Sequence, residues 1–223
     1  DDYGGSLENR MRFPLEVFDA VRGAFPAERP VWVRVSATDW VPGGWNLEST
    51  IALAQALKAR GCAALNVSSG GVSPQQAIKP GPGYQVPFAH RLKEEVGLPT
   101  IAVGLITEPE QAESIITRGE ADAVALARAM LYDPRWPWHA AAALGATIEA
   151  APQYWRSQPR EHPGLFGAGR IGQLAEGARG RRHRPLRHDQ DGVGAAGPQL
   201  LAVAVGRHGR GEECEGGGGR RLA

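Results

Sequence analysis

An arginine interrupts an apolar run in Val31-Trp32-Val33-Arg34-Val35. Such a run reads as a strand buried on both faces. A guanidinium placed there must find a partner or reach the mouth of a sheet, because an unpaired buried charge is strongly unfavourable. Two outcomes are open for Arg34. One is an ion pair with a neighbouring carboxylate. The other is a cation aimed at an anionic ligand, or at a reduced cofactor carrying negative charge. Ser68-Ser69-Gly70-Gly71, Gly104 and Arg128 also follow apolar runs. A glycine at 104 lets a phosphate approach the backbone closely, and Arg128 supplies a forked cationic donor.

Other chemistry-bearing residues read more plainly. Gly167-Ala168-Gly169-Arg170-Ile171-Gly172 spells the dinucleotide fingerprint G-x-G-x-x-G. A working fingerprint follows a strand, and Arg160-Glu161-His162-Pro163-Gly164 is no strand. Cys62 reads as a small core residue at a strand start. With Cys214 it makes only two cysteines, too few for a disulfide framework, so a cytoplasmic location is expected. His90, beside Arg91, reads as solvated. His183, His188 and His208 fall among arginines and glycines, and no metal site is assigned.

The elements that must position these residues recur. Met11, Leu15, Phe18, Val21 and Phe25 keep helical spacing, with Ser6 to cap the start and Pro26 past the end. A helix marked by Leu47, Ile51, Ala54 and Leu57 stops at Gly61, and strand 63–67 follows. A helix over 88–96 ends at Gly97 before strand 100–103. Thr107 and Glu110 predict a capping box for a helix ending at Gly119, before strand 123–126. Strands alternating with helices predict βα units and a parallel sheet, as a doubly wound open sheet or a (β/α)8 barrel. Ser68, Gly104 and Arg128 then fall on the C-terminal face of the strands, where both architectures bind ligands.

Overall composition hides a division. The 223 residues carry a formal charge of +1, which argues against a strongly basic nucleic-acid binder. No window approaches the roughly 18 apolar residues of a membrane span. The first residue is Asp1, which suggests removed sequence or a piece of a longer protein. All six tryptophans precede residue 156, and the last aromatic is Phe166. Residues 164–223 hold 16 Gly and 10 Arg against 6 acids, with no Lys. Such a segment cannot offset its own ordering entropy. It is expected to be a disordered, low-complexity tail, and its Gly/Arg/Ala text suits out-of-frame translation of a GC-rich gene. Without interleaved aromatics it does not read as RNA-binding.

Residues 1–13, D-D-Y-G-G-S-L-E-N-R-M-R-F, are similar to the signature D-x-Y-G-G-S-x-x-N-R-x-R-F of the Old Yellow Enzyme family. The similarity continues through V-R-V-S (33–36), N-V-S-S-G (66–70), P-G-Y-Q (82–85), A-V-G-L-I-T (102–107), A-R-A-M-L-Y-D-P-R-W (127–136) and P-Q-Y-W-R (152–156), the last suggesting the bacterial, thermophilic-like branch. The resemblance implies the C-terminal half of a (β/α)8 TIM barrel over residues 1–163, as four βα units, followed by the disordered tail. It implies an FMN-dependent enzyme passing hydride from NADPH or NADH to activated alkenes such as enones and nitro compounds.

Carried over by position, Arg34 would sit against the flavin's pyrimidine edge and stabilise negative charge on the reduced ring. Ser68, Gly104, Ala127 and Arg128 would hold the phosphate end. The family usually has Gly where Ala127 stands; alanine keeps the backbone N–H but adds a methyl group. Arg156 would reach a neighbouring subunit's active site, implying a homodimer or tetramer. The family's substrate-binding His pair and tyrosine proton donor would lie upstream of residue 1, so no catalytic residue is assigned, and Tyr3 belongs to the signature loop. The alternative is a truncated fragment inactive by itself, acting only with a complementary N-terminal half.

Overall fold

A computed structural model describes residues 1–167. Helix α1 (Leu7–Ala24) begins where Ser6 Oγ accepts from the Asn9 amide at 3.3 Å, and Phe25 leaves it in extended backbone. There follow β1 (Val33–Ser36), α2 (Leu47–Ala59), β2 (Leu65–Ser68), α3 (Val86–Val96), β3 (Thr100–Ala102), α4 (Pro109–Thr117) and β4 (Ala123–Val124). The strands form one parallel sheet in the order β1-β2-β3-β4, each step crossing over through a helix. Gly97 closes α3 in the left-handed region at φ 66°, where glycine carries no Cβ penalty.

Register sorts the strand residues into two faces, because successive side chains point opposite ways. Val35, Val67, Ala102 and Val124 stand in one row and are all buried. They belong to the cluster that holds Leu57 of α2, Leu65 of β2 and Leu92 of α3. The neighbouring row, Arg34, Asn66, Ile101 and Ala123, takes the other face. On that face Arg34 is exposed, while Ile101 and Ala123 are half-buried.

This corrects the expected fold class, the C-terminal half of a (β/α)8 barrel followed by a disordered tail. The structure has a partial, open (β/α)4 arrangement, and it occupies roughly the first 150 residues, the N-terminal part of this chain. Nothing in the described sheet closes: β1 and β4 each have one ladder partner, whereas a barrel pairs every strand twice. The expected tail falls almost wholly in 168–223, outside the described residues, as do most of the G-x-G-x-x-G motif, Cys214 and the last three histidines. Within the described part of that span, Leu165 and Phe166 are buried against Trp155 and Ala150.

Two details differ from the periodicity reading. The capping box does not form: α4 starts at Pro109, Glu108 makes no side-chain cap bond, and the Thr107 amide donates instead to Gln111 Oε1 at 3.2 Å. Proline suits the first helical position, where its missing N–H would lack a partner anyway, and this makes Glu108 rather than Thr107 the N-cap. After β4 the chain adds α5 (Arg128–Tyr132), α6 (Trp136–Ala143) and a 3₁₀ helix (Pro152–Ser157), none of which the apolar spacing predicted. Aromatic contacts hold this region: the Trp138 ring meets Phe166 edge-on at 4.9 Å, and Arg135 lies over Trp138 at 4.2 Å.

Candidate functional site

The candidate site lies on the C-terminal side of the sheet and on its open face. Arg34 of β1 donates from Nη1 to Asn66 Oδ1 of β2 across the register pair that links them. The ion pair open to Arg34 in the sequence is therefore replaced by an amide partner. A neutral acceptor orients the guanidinium without neutralising it, and no carboxylate among the described residues forms an ion pair with it. Asn66 itself is only 1% exposed, and its Nδ2 has no hydrogen-bond partner.

Around the strand ends the backbone is unusually contorted. Gly70 and Gly71 after β2 have φ of 70° and 86°, and Gly104 after β3 has 120°. Trp40 after β1 and Leu105 after β3 also have positive φ, at 60° and 51°. Side-chain-bearing residues rarely adopt that region, and such strain gathers where a function over-determines the conformation. The Trp40 Nε1 is buried and lacks a partner.

Beneath Gly104 lies a polar knot built on Gln85, which is 3% exposed. With its amide nitrogen toward Val103 O at 3.2 Å, its oxygen accepts from Tyr84 OH, the Ser69 amide and Ser69 Oγ, each at 3.0 Å. The Gly104 carbonyl accepts from the Gly83 amide at 2.8 Å. A Cβ on Gly104 would come within 3.0 Å of the end of the Gln85 side-chain amide and 3.2 Å of its Cβ. We expect Gly104→Ala to lower stability by about 1–3 kcal/mol, from the strained φ plus the displaced Gln85. Urea unfolding checks this; Gly81→Ala, where the added methyl meets nothing within 4 Å, is the comparison that should change little.

The other expected residues are more dispersed. Ser68 ends β2, half-buried, and its carbonyl accepts from the Ala37 amide at 2.8 Å. Ala127 immediately precedes α5 and Arg128 is its first residue, exposed. Arg156 is exposed on the 3₁₀ helix. Register brings Arg34 and Asn66 together and sets Ser36 beside Ser68. Arg128 and Arg156 lie on later elements, away from those two strands in sequence. Asn66, Gln85, Trp40 and Leu105 are the site residues that motif reading passed over. Asn66 had a legible signal, since it interrupts Ala63-Ala64-Leu65-Asn66-Val67 as Arg34 interrupts its own run.

Elsewhere the titratable groups are structural. Burial pushes the Cys62 thiol up, as expected for a core cysteine rather than a nucleophile. Arg91 bonds Glu48 and Glu95 at the surface, which holds the Glu48 carboxyl below its ordinary range. Among the described residues no cluster of His, Cys, Asp and Glu is arranged to hold a metal, and no helix is long and apolar enough to cross a membrane.

A parallel βα sheet with the Arg34 side chain exposed on its open face and glycines at positive φ after the strands defines an α/β protein with a candidate site at the C-terminal ends of its strands. Comparison makes this specific: the chain belongs to the NADH:flavin oxidoreductase / NADH oxidase family, matched over residues 1–146. It is 47% identical over 156 residues to the NADPH dehydrogenase of Geobacillus sp. (strain WCH70), covering 70% of this chain and 45% of that protein. It is 42% identical over 158 residues to the NADPH dehydrogenase of Listeria innocua serovar 6a (strain ATCC BAA-680 / CLIP 11262), covering 70% and 46%. The chain thus spans about half the length of these relatives. Among solved structures it resembles 2-naphthoyl-CoA reductase in complex with 2-naphthoyl-CoA (TM-score 0.57, 27% identity, 66% of this chain and 23% of that one). Histamine dehydrogenase from Rhizobium sp. 4-9 superposes with TM-score 0.52 at 25% identity, over 61% of this chain and 20% of that one.

These findings correct the expected recognition, which confined the resemblance to the C-terminal half in a thermophilic-like branch. What the match supports is family membership over residues 1–146, the N-terminal portion of this chain.

Proposed function

We propose that the chain serves an FMN-dependent NAD(P)H oxidoreductase acting on activated alkenes, enones and nitro compounds among them. The observation that carries this reading is Arg34, exposed on the open face of the sheet and held by a neutral partner. FMN fits the residues present, since the reading needs a cation whose charge is not already compensated and a backbone that tolerates close approach. Arg34 offers the first, and Gly104, at φ 120°, offers the second. When bound, FMN would supply the redox chemistry, taking hydride from NADPH or NADH and delivering it to the alkene.

This chain's own residues would bind and orient. Arg34 would hold the electron-rich pyrimidine edge and favour negative charge there. Ser68, Gly104 and the Ala127 backbone would line the phosphate end, with Arg128 as its cation. Arg156 would enter the site of a second subunit in a homodimer or tetramer. A second reading, a chain without turnover of its own, is favoured by the outer edges of β1 and β4, which no strand among the described residues pairs. One experiment separates the two. The purified chain is titrated with FMN by fluorescence quenching, then assayed for NADPH consumption with cyclohexenone. Saturable binding with turnover supports the first reading, binding without turnover the second, and no binding overturns the cofactor assignment.

A further inference from the structure

Asn66 occupies a position where an acid would satisfy more of its surroundings. Its Oδ1 accepts from Arg34 Nη1, while its Nδ2 is buried and lacks a partner. An orphaned donor is costly to leave buried. A carboxylate of the same shape would carry no such donor and would pair with the guanidinium by a charge-assisted bond. The residues that register sets beside this pair, Ile101, Ala123, Ser36 and Ser68, are uncharged as well. Position 66 therefore accepts an unsatisfied amide and keeps the Arg34 charge unbalanced on that face.

We propose that Asn66 is a positioning residue that orients Arg34 while leaving its charge uncompensated, so that the site favours the more negatively charged redox state of its flavin. This rests on the reading of Arg34 given under Proposed function. A carboxylate at 66 would orient the guanidinium equally well but spend its charge, and reduced FMN would lose more than oxidised FMN.

The test compares the full chain with Asn66→Asp and Asn66→Leu, measuring affinity for oxidised FMN, affinity for reduced FMN under anaerobic conditions, and the midpoint potential of the bound cofactor. Asn66→Asp is expected to leave oxidised FMN within about threefold and to weaken reduced FMN by about tenfold. For a two-electron couple that lowers the potential by about 30 mV. Asn66→Leu, which removes the tether without adding charge, should weaken both forms together. An Asn66→Asp variant that weakens both forms alike, or neither, overturns the inference while leaving the cofactor reading intact. Failure of the unmutated chain to bind either form overturns both.

Discussion

Leu65→Ala is expected to lower the unfolding free energy by about 2–5 kcal/mol, the range for emptying a fully buried leucine site. Leu65 is 0% exposed at the start of β2, an inner strand of the sheet. It pairs in register with Val33 on one side and Thr100 on the other. Its amide donates to Pro99 O at 2.9 Å, so the backbone is fixed and little collapse can fill the hole. Domains of this size are stable by only about 5–15 kcal/mol, so the loss is a large fraction of the whole. Urea unfolding followed by tryptophan fluorescence measures it. Phe13→Ala removes a larger side chain, but one that is 62% exposed on α1, and it should fall within about 0.5 kcal/mol of the parent. Equal costs at the two positions would mean that the four-stranded sheet does not carry the stability of this chain.

The repeat of strand and helix was legible because it is written in spacing. Ile51, Ala54 and Leu57 recur at helical intervals and are all buried, whereas of the α1 series Phe18 is buried and Val21 and Phe25 are exposed. The Ser6 cap and the Gly97 stop are local chemistry, and both form as the residues dictate. What spacing could not reveal was closure. Four βα units suit a half-barrel and an open sheet equally, and only strand pairing distinguishes them. The helices after β4 escaped for a different reason. Trp136–Ala143 reads WPWHAAAA, with no polar face to set a period, and its surroundings are held by edge-on ring contacts rather than by an apolar stripe.

The site was legible where charge interrupts an apolar run. Arg34 stood out for that reason, and Asn66 interrupts its own run in the same way, but nothing in the spacing joins the two. Strand register is what turns Arg34 and Asn66 into a pair. Gln85 was invisible for a related reason. It sits in P-G-Y-Q as an ordinary polar residue, and only the fold brings it under Gly104 to meet Ser69 and Tyr84.

Arg34→Ala is expected to weaken FMN binding by about tenfold to a hundredfold, the worth of a hydrogen bond to a charged group. The guanidinium is exposed and its one described bond goes to Asn66 Oδ1, so its removal lets water reach that oxygen. Stability should therefore change by no more than about 0.5 kcal/mol, as for other surface positions. That separation makes the measurement informative: fluorescence-quench titration reads the site, while urea unfolding of the same variant reads the fold. Arg34→Lys keeps the charge but loses the planar fork, and should recover only part of the affinity. Full recovery by lysine would mean that charge alone matters and that the orientation imposed by Asn66 is irrelevant. No loss in Arg34→Ala would remove Arg34 from the cofactor site altogether. A loss matched by an equal fall in stability would make it a residue of the fold instead.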